Sequence, residues 1–339
     1  MAPDAPAHLS EEEIINLVAS LAGGAGGDLT VGIGDDCAVL GGDQTGLVVT
    51  TDLLVQGSHF DLELMSPADV GHRSMAANLS DLAAMGARPA YGFLSLGMPA
   101  RPTAAFVSEL VGSMVDQGRA HGLKLAGGDT VKAPQVVINL CLLGAMGKLA
   151  PVLRSGGRLG DAVCVTGLLG GSGAGLAWLQ AGRDPVEAAA APAVAAYCRP
   201  TPRLAAGRAL AESGRVHAMM DLSDGLAADL PRLARASGLG AAVEAEAVPI
   251  SPATLAVAQV LGGDALGWAL GGGEDFELLF TCDPGEVPLL AQVVAEAAGG
   301  LAVTQVGRLT QGPGVSLMRQ GEEEPITYKG FDHFQEPAP

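Results

Sequence analysis

Aromatic side chains are scarce, at 4% of 339 residues, so the chain has few rings on which single-stranded nucleic acid could stack its bases. Basic residues are outnumbered as well: 19 Lys and Arg against 37 Asp and Glu leave a net charge of -18, which repels a bare phosphate backbone. Nucleic acid is excluded as a partner on both counts, and any anionic ligand requires metal ions beside it. The five cysteines, Cys37, Cys141, Cys164, Cys198 and Cys282, are scattered and form no Cys-x-x-Cys pair. That argues against a disulfide framework or a zinc site and fits a reducing cytoplasm. Also missing are His-x-x-x-His, the phosphate loop G-x-x-x-x-G-K-[ST] and the elbow G-x-S-x-G, which leaves zinc, P-loop and serine-nucleophile chemistry without support.

Long hydrophobic runs are absent in the same sense. The longest uncharged stretch, Ala162 to Gly182, could reach across a bilayer by length, but the glycines of GLLGGSGAG break it into strand, turn and helix. No membrane span is expected. The opening MAPDAPAHLSEEE has no basic start followed by an apolar stretch, so neither a signal nor a transit peptide is expected.

What is present is the balance of a compact soluble protein, 48% hydrophobic and 17% charged, with enough chain for two domains. Residues 1–9 and 335–339 read as tails, 10–147 as a first domain and 148–334 as a second. Ser10 and Glu13 form a capping box ahead of Ile14, Leu17, Val18 and Leu21, which predicts an amphipathic helix. Val31 to Leu40 and Gly46 to Val55 read as strands about a loop. Ser66-Pro67 opens a helix that Gly86 and Pro89 end. A strand (91–96), a helix (103–121) and strands at 124–130 and 136–146 follow. After the Gly- and Pro-containing segment 147–160, strands are expected at 162–166, 216–220, 276–282, 303–309 and 315–318. Helices are expected after LLGGSGAG, along the Ala-rich stretch 186–197 and from Leu226. Periodicity alone thus predicts two α/β units.

Aspartates recur beside small residues, in GIGDD (Asp35, Asp36), TTD (Asp52), NLSD (Asp81), AGGDT (Asp129) and DLSDG (Asp221, Asp224). Any one of them could cap a helix or fill a turn. Together they are too many for packing, because Asp is rarely buried without a cation or a set of N–H donors. Divalent ions with oxygen ligands meet that need, and Mg²⁺ commonly joins one or two carboxylates to substrate phosphates. GGSGAG does not fit a dinucleotide fingerprint and reads as a strand-to-helix turn. Arg154, in RSGG, is a candidate forked donor to phosphate. His59, in QGSHF, is either a substrate contact or structural. In GGGEDFELLF, Glu274 and Asp275 follow three glycines at the head of a strand, where ligands bind in α/β folds. The terminal TYKGFDHF gathers Tyr328, Phe331 and Phe334 as either a hydrophobic latch or a stacking site.

Taken in order, GIGDDCAVL, TTDLLVQGSHF, NLSDLAAMGA, GGDT, RSGGRLGD, DLSDGL, GGGEDFELLF and YKGFDHF closely resemble the thiamine-monophosphate kinase family. This family lies within the aminoimidazole ribonucleotide synthetase and selenophosphate synthetase superfamily. The resemblance runs from about residue 10 to 334. It implies a two-domain α/β (α+β) fold whose N-terminal strands build a barrel with a second copy in a homodimer. It also implies transfer of the ATP γ-phosphoryl group to thiamine monophosphate. By motif matching, Asp36, Thr50, Thr51, Asp52, Asp81, Asp129, Asp221 and Asp224 would hold several Mg²⁺ ions. Gly128, Asp129, Arg154 and Ser223 would contact ATP, and His59, Glu274 and Tyr328 the thiamine phosphate. Tyr328 stands where the family often has Trp, a departure that bears on substrate affinity through a weaker π face. No protein nucleophile or base is implied, since the acceptor phosphate is already ionised.

Two other readings stay open on sequence alone. One is a different ATP-dependent synthetase of the superfamily, although selenophosphate synthesis is disfavoured because no cysteine precedes Cys37. The other is a non-catalytic thiamine-phosphate or nucleotide binding module, which the set of intact acids disfavours.

Overall fold

The computed structural model describes residues 11–22, 25, 27–41 and 46–328. Helix α1 (Glu11–Ala22) is followed by β1 (Leu29–Val31), β2 (Ala38–Leu40) and β3 (Gly46–Val55). Next come α2 (Pro67–Ala84), β4 (Arg88–Met98), α3 (Ala104–Ala120), β5 (Lys124–Lys132) and β6 (Val137–Gly147). The six strands form one sheet in the order β1-β2-β3-β6-β4-β5. Its neighbours are antiparallel except β4 and β5, which α3 joins as a parallel pair. Ser10 of the expected capping box, the tails, the 42–45 loop, and Phe331, His333 and Phe334 lie outside the described residues.

Helix α2 starts where local chemistry dictates. The Ser66 hydroxyl accepts from the Asp69 N–H, the Asp69 carboxylate accepts from the Ser66 N–H, and Pro67 occupies the first turn, so the orphan donors of the helix end are satisfied. Its apolar face buries Val70, Met75, Leu79 and Leu82. Under it, Ile138, Leu140 and Leu142 of β6 are fully buried while Asn139, Cys141 and Leu143 turn to the other face. That other face carries Leu53, Tyr91 and Phe93, exposed by 53, 53 and 43%.

The second half contains β7 (Ala162–Thr166), α4 (Gly171–Gln180), α5 (Ala191–Cys198), α6 (Leu204–Ser213), β8 (Val216–Asp221) and α7 (Leu226–Ala236). It continues with β9 (Gly240–Glu244), α8 (Pro252–Leu261), α9 (Ala265–Gly271), β10 (Leu278–Cys282) and α10 (Val287–Ala297), then β11 (Val303–Thr310), β12 (Val315–Arg319) and β13 (Glu322–Pro325). Seven strands form a sheet in the order β13-β12-β9-β11-β7-β10-β8. Every residue of β7 and β10 is buried, because helices cover this sheet on both faces.

The sheets correct the expectation of two alternating α/β units. Only β4–β5 and β9–β12 run parallel; the other pairings are antiparallel, so the architecture is α+β in character. Val31 to Leu40 is two short strands, split where Gly34 takes φ +122° and the GIGDD segment turns. The Ala-rich stretch is helical only from Ala191, because the Asp184 carboxylate accepts from the Val186 N–H at 3.0 Å and its carbonyl accepts from the Trp178 indole at 2.9 Å, holding a turn instead. The strand expected from Phe276 begins at Leu278, since Phe276 sits at φ +50°. Helices α6, α8, α9 and α10 and strands β9 and β13 are not among the expected elements, although Ser251-Pro252 ahead of α8 and Asp264, which caps α9, are start signals of the same kind as Ser66-Pro67.

The two halves share one hydrophobic core, which runs from Val39 and Leu142 to Phe280 and Val294. Helices α2 and α6 cross at Gly207, where an added Cβ would lie 2.0 Å from the Ala83 carbonyl oxygen. Replacing Gly207 by Ala would improve helix propensity by about 1 kcal/mol, but the backbone contact cannot yield and overpacking costs about 1–3 kcal/mol or more. Gly207→Ala is expected to lower the thermal unfolding midpoint. An unchanged or raised midpoint would contradict so close a crossing.

Candidate active site

Three carboxylates from distant parts of the chain meet where the two halves pack together. Asp36 lies in the turn before β2, Asp81 on the last turns of α2 and Asp221 at the end of β8. One carboxylate oxygen from each lies within 4.8 Å of the other two. Period-2 alternation puts Thr50 and Asp52 of β3 on the helix-covered face, and the Thr50 hydroxyl donates to Asp81 Oδ2. The Asp52 N–H donates to Asn78 Oδ1 at 3.2 Å, and Asn78 stands three residues before Asp81 on α2. Thr51 turns the other way, its hydroxyl accepting from Asn139 Nδ2 at 2.8 Å.

Burial sets the electrostatics. Asp81 and Asp221 are pushed well above the usual carboxylate range, chiefly by desolvation and then by neighbouring acids. Asp52 rises to about 6 by burial, with the Asp224 charge adding to it. Asp36 is also raised by burial, even though Arg154 donates to its Oδ1 through Nε at 3.1 Å and Nη2 at 2.5 Å. Its other oxygen, Oδ2, is buried with no hydrogen-bond partner. Asp35, which accepts from the Arg154 N–H at 3.2 Å, rises to about 6 by burial and by Asp36. An unpartnered buried carboxylate oxygen among clustered acids is a donor set that fits a hard divalent cation.

The DLSDG loop flanks this cluster and carries Ser223 and Asp224. Asp224 pairs with Arg232 of α7, which also reaches Asp229 at 2.7 Å, and the Asp224 N–H donates to Asp229 Oδ2 at 3.0 Å. Asp229, fully buried, is raised to about 7 by desolvation and by Asp224. Sequence reasoning missed Asp229 and Arg232; their signal is an Asp on an apolar helix face followed three residues later by Arg. Asn78 and Asp81 both read as mid-helix residues in the sequence, but the bond of Asn78 to the Asp52 N–H is a tertiary contact that no local signal gives.

The GGGEDF loop lies against DLSDG: the Glu274 N–H donates to the Ser223 carbonyl at 2.7 Å and that of Phe276 to Leu222 at 3.0 Å. Glu274 adopts φ +57° and pairs with Arg73 of α2. Asp275, raised to about 7 by burial, accepts from the N–H groups of Gly170 at 2.7 Å and Ser172 at 3.1 Å. These donors of the GGSGAG turn are thus satisfied within the chain, in keeping with a strand-to-helix turn. His59 Nδ1 accepts from the Val55 N–H at 3.1 Å. The Tyr328 hydroxyl donates to Asp264 Oδ2 at 3.1 Å. Neither residue is part of the carboxylate trio.

Asp129 stands apart. It is exposed on β5, the outer strand of the first sheet, and accepts from the Thr130 N–H at 2.8 Å. The preceding Gly128 is at φ +154°, and a Cβ there would meet the Leu94 carbonyl oxygen at 1.7 Å, so only glycine fits beside this acid. The described chain therefore gathers Asp36, Asp81 and Asp221 tightly, with Thr50, Asp52, Arg154 and Asp224 around them, and leaves Asp129 on a different face.

Residues 34–146 match the family "AIR synthase related protein, N-terminal domain" and residues 158–320 match "AIR synthase related protein, C-terminal domain". The chain is 38% identical over 313 residues to the thiamine-monophosphate kinase of Escherichia coli O157:H7, covering 91% of this chain and 94% of that protein. The chain belongs to the thiamine-monophosphate kinase family. Its likeness to the kinase of Mycobacterium tuberculosis H37Rv is 38% over 309 residues, 91% of this chain and 86% of the relative. The solved structure "AaThiL complexed with AMPPCP and TMP" superposes with a TM-score of 0.84 at 30% identity, covering 96% of this chain and 97% of that one. Members of the thiamine-monophosphate kinase family thus share this fold over nearly the whole chain.

The raised carboxylates, Asp35 and Asp52 at about 6 and Asp229 and Asp275 at about 7, outnumber the two half-buried histidines lowered by burial, His72 and His121, and so set the sign of a pH effect. Between the ordinary range near 4 and the elevated folded values, the folded state holds more protons than the unfolded one, so stability falls as pH rises. Chelator-treated protein is expected to melt lower at about pH 7.5 than at about pH 5.5. Adding Mg²⁺ at the higher pH should raise the midpoint by roughly 5 °C. No response to Mg²⁺, or a midpoint that climbs with pH in chelator, would contradict a cation-demanding cluster.

Proposed function

We propose that the chain is a Mg²⁺-dependent kinase that moves the ATP γ-phosphoryl group directly to thiamine monophosphate, giving thiamine diphosphate and ADP. The observation that carries this is the trio Asp36, Asp81 and Asp221, within 4.8 Å of one another and with one Asp36 oxygen unpartnered, in a chain similar to AaThiL, which was solved with AMPPCP and TMP. The obstacle to the reaction is repulsion between two polyanions. Bound magnesium supplies charge neutralisation and a fixed geometry for the phosphate oxygens. Asp36, Asp52, Asp81, Asp221 and Asp224 would hold the ions, with Thr50 as an accessory ligand and Thr51, whose side chain turns to the other face, able to add only its main chain. Arg154 would donate to an ATP phosphate through its planar fork, with Gly128 and Ser223 contacting the same nucleotide. His59, Glu274 and Tyr328 would receive the thiamine phosphate, Tyr328 offering its ring face to the cationic thiazolium. The acceptor oxygen carries its own negative charge, so no side chain has to remove a proton.

Residues 10–147 would supply metal, nucleotide and dimer contacts, and 148–334 would complete the cleft. We further propose a homodimer formed through the uncovered face of the first sheet. Leu53, Tyr91, Phe93 and Val131 are exposed there, more apolar surface than a solvated sheet face usually leaves. Asp129 is three strand spacings, about 14 Å, from β3 along this sheet, and pairing of two copies would give it neighbours it lacks within one chain. The free cysteines accord with a cytoplasmic protein.

A product assay tests the reading: MgATP and thiamine monophosphate should yield equal amounts of thiamine diphosphate and ADP, and none with chelator. Asp81→Asn, nearly isosteric, should reduce kcat by at least about a hundredfold while leaving the fold intact by circular dichroism. ATP consumption without thiamine diphosphate would point to another acceptor, and full activity of the variant would remove Asp81 from the site.

A further inference from the structure

Arg73 has no part in the metal cluster or the nucleotide contacts, yet no other Arg or Lys among the described residues is as buried, at 1% exposure. Burying a guanidinium is costly unless its charge and its N–H groups are used. In this fold the charge and Nη1 are used across the junction of the two halves, while Nε is buried without a hydrogen-bond partner. Nη1 donates to the Tyr197 carbonyl of α5, the guanidinium carbon sits 4.4 Å from the centre of the Tyr197 ring, and Nη2 pairs with Glu274. The stack and the carbonyl orient the fork, leaving Nη2 to meet one carboxylate.

Glu274 is constrained from both ends. Its backbone is at φ +57° with its N–H on the Ser223 carbonyl at 2.7 Å, and its carboxylate is fastened to α2 through Arg73. It nonetheless keeps 34% side-chain exposure. A glutamate held by a buried cation on one side and open on the other presents a fixed anionic edge.

We propose that Arg73 is a positioning residue, which holds the Glu274 carboxylate in one orientation so that its open edge receives the amino-bearing pyrimidine end of the acceptor. This rests on the assignment of Glu274 to the thiamine phosphate. Tyr197 acts one step further out, by fixing the guanidinium plane. Loss of Arg73 therefore weakens recognition of the acceptor and leaves ATP recognition alone, a split that a merely structural role would not produce.

The test is a double-mutant cycle on the full-length protein with Arg73→Gln, Glu274→Gln and both together, reading KM for thiamine monophosphate and for ATP, with calorimetric Kd for thiamine monophosphate as a second readout. Each single variant should raise the acceptor KM and Kd about tenfold, with the ATP KM within about twofold. The double variant should match Glu274→Gln alone, because the positioning residue then has nothing to position. Arg73→Lys, which keeps the charge but not the fork, should recover part of the loss. A raised acceptor KM in Glu274→Gln with none in Arg73→Gln, or a double variant whose effect is the product of the two singles, would overturn the role of Arg73. An unchanged acceptor KM in Glu274→Gln would overturn the assignment of Glu274 and the proposal with it. Should Arg73→Gln yield no folded protein, Arg73→Lys decides, and wild-type acceptor affinity in that variant overturns the proposal.

Discussion

Carboxylates removed from water repel one another and lose the solvation that keeps them ionised, and much of this structure is arranged around that conflict. Asp36, Asp81 and Asp221 come from a turn, a helix and a strand end, and are brought together only because α2 lies between the first sheet and the second half of the chain. The glycine crossing of α2 and α6, the capping box that starts α2 and the fully buried strands β7 and β10 all serve to hold that placement. Arg154, Arg232 and Arg73 each sit against acids of this region, so part of the positive charge of an acidic chain lies beside the clustered carboxylates.

The same constraint reconciles the chain's charge with its substrates. A protein with a net charge of -18 would not attract two phosphorylated molecules by its long-range field. Divalent cations held by the proposed acidic cluster would reverse the local sign, and the phosphates would then meet metal rather than carboxylate. Phosphoryl transfer between polyanions needs little beyond such neutralisation and in-line placement, which is the work a metal-loaded site rich in aspartate would do.

The acids were legible in the sequence because Asp beside Gly, Ser and Thr, at strand ends or in the middle of a helix, has few structural reasons to be there. Helix α2 and strand β7 were legible from caps and apolar runs. The direction of the strands was not, since a strand that returns antiparallel and one that crosses over look alike in periodicity, and the sheets are consequently more antiparallel than alternation suggested. Arg73, Asp229 and Arg232 were hidden for another reason: each is a charged residue within a helix whose partner is distant or whose burial depends on tertiary packing. Asp129 was read with the other acids by motif, but a motif does not say which face of a sheet it occupies, and the fold sets it on the outer one.

The central claim is that Asp36, Asp81 and Asp221 jointly hold a divalent cation beside the phosphates. A crystal grown with Mn²⁺ and a non-hydrolysable ATP analogue, measured at the manganese absorption edge, tests it most directly. An anomalous peak among these three carboxylates, lost in Asp81→Asn crystals, is the predicted result. Nucleotide bound with no manganese among them would contradict the account.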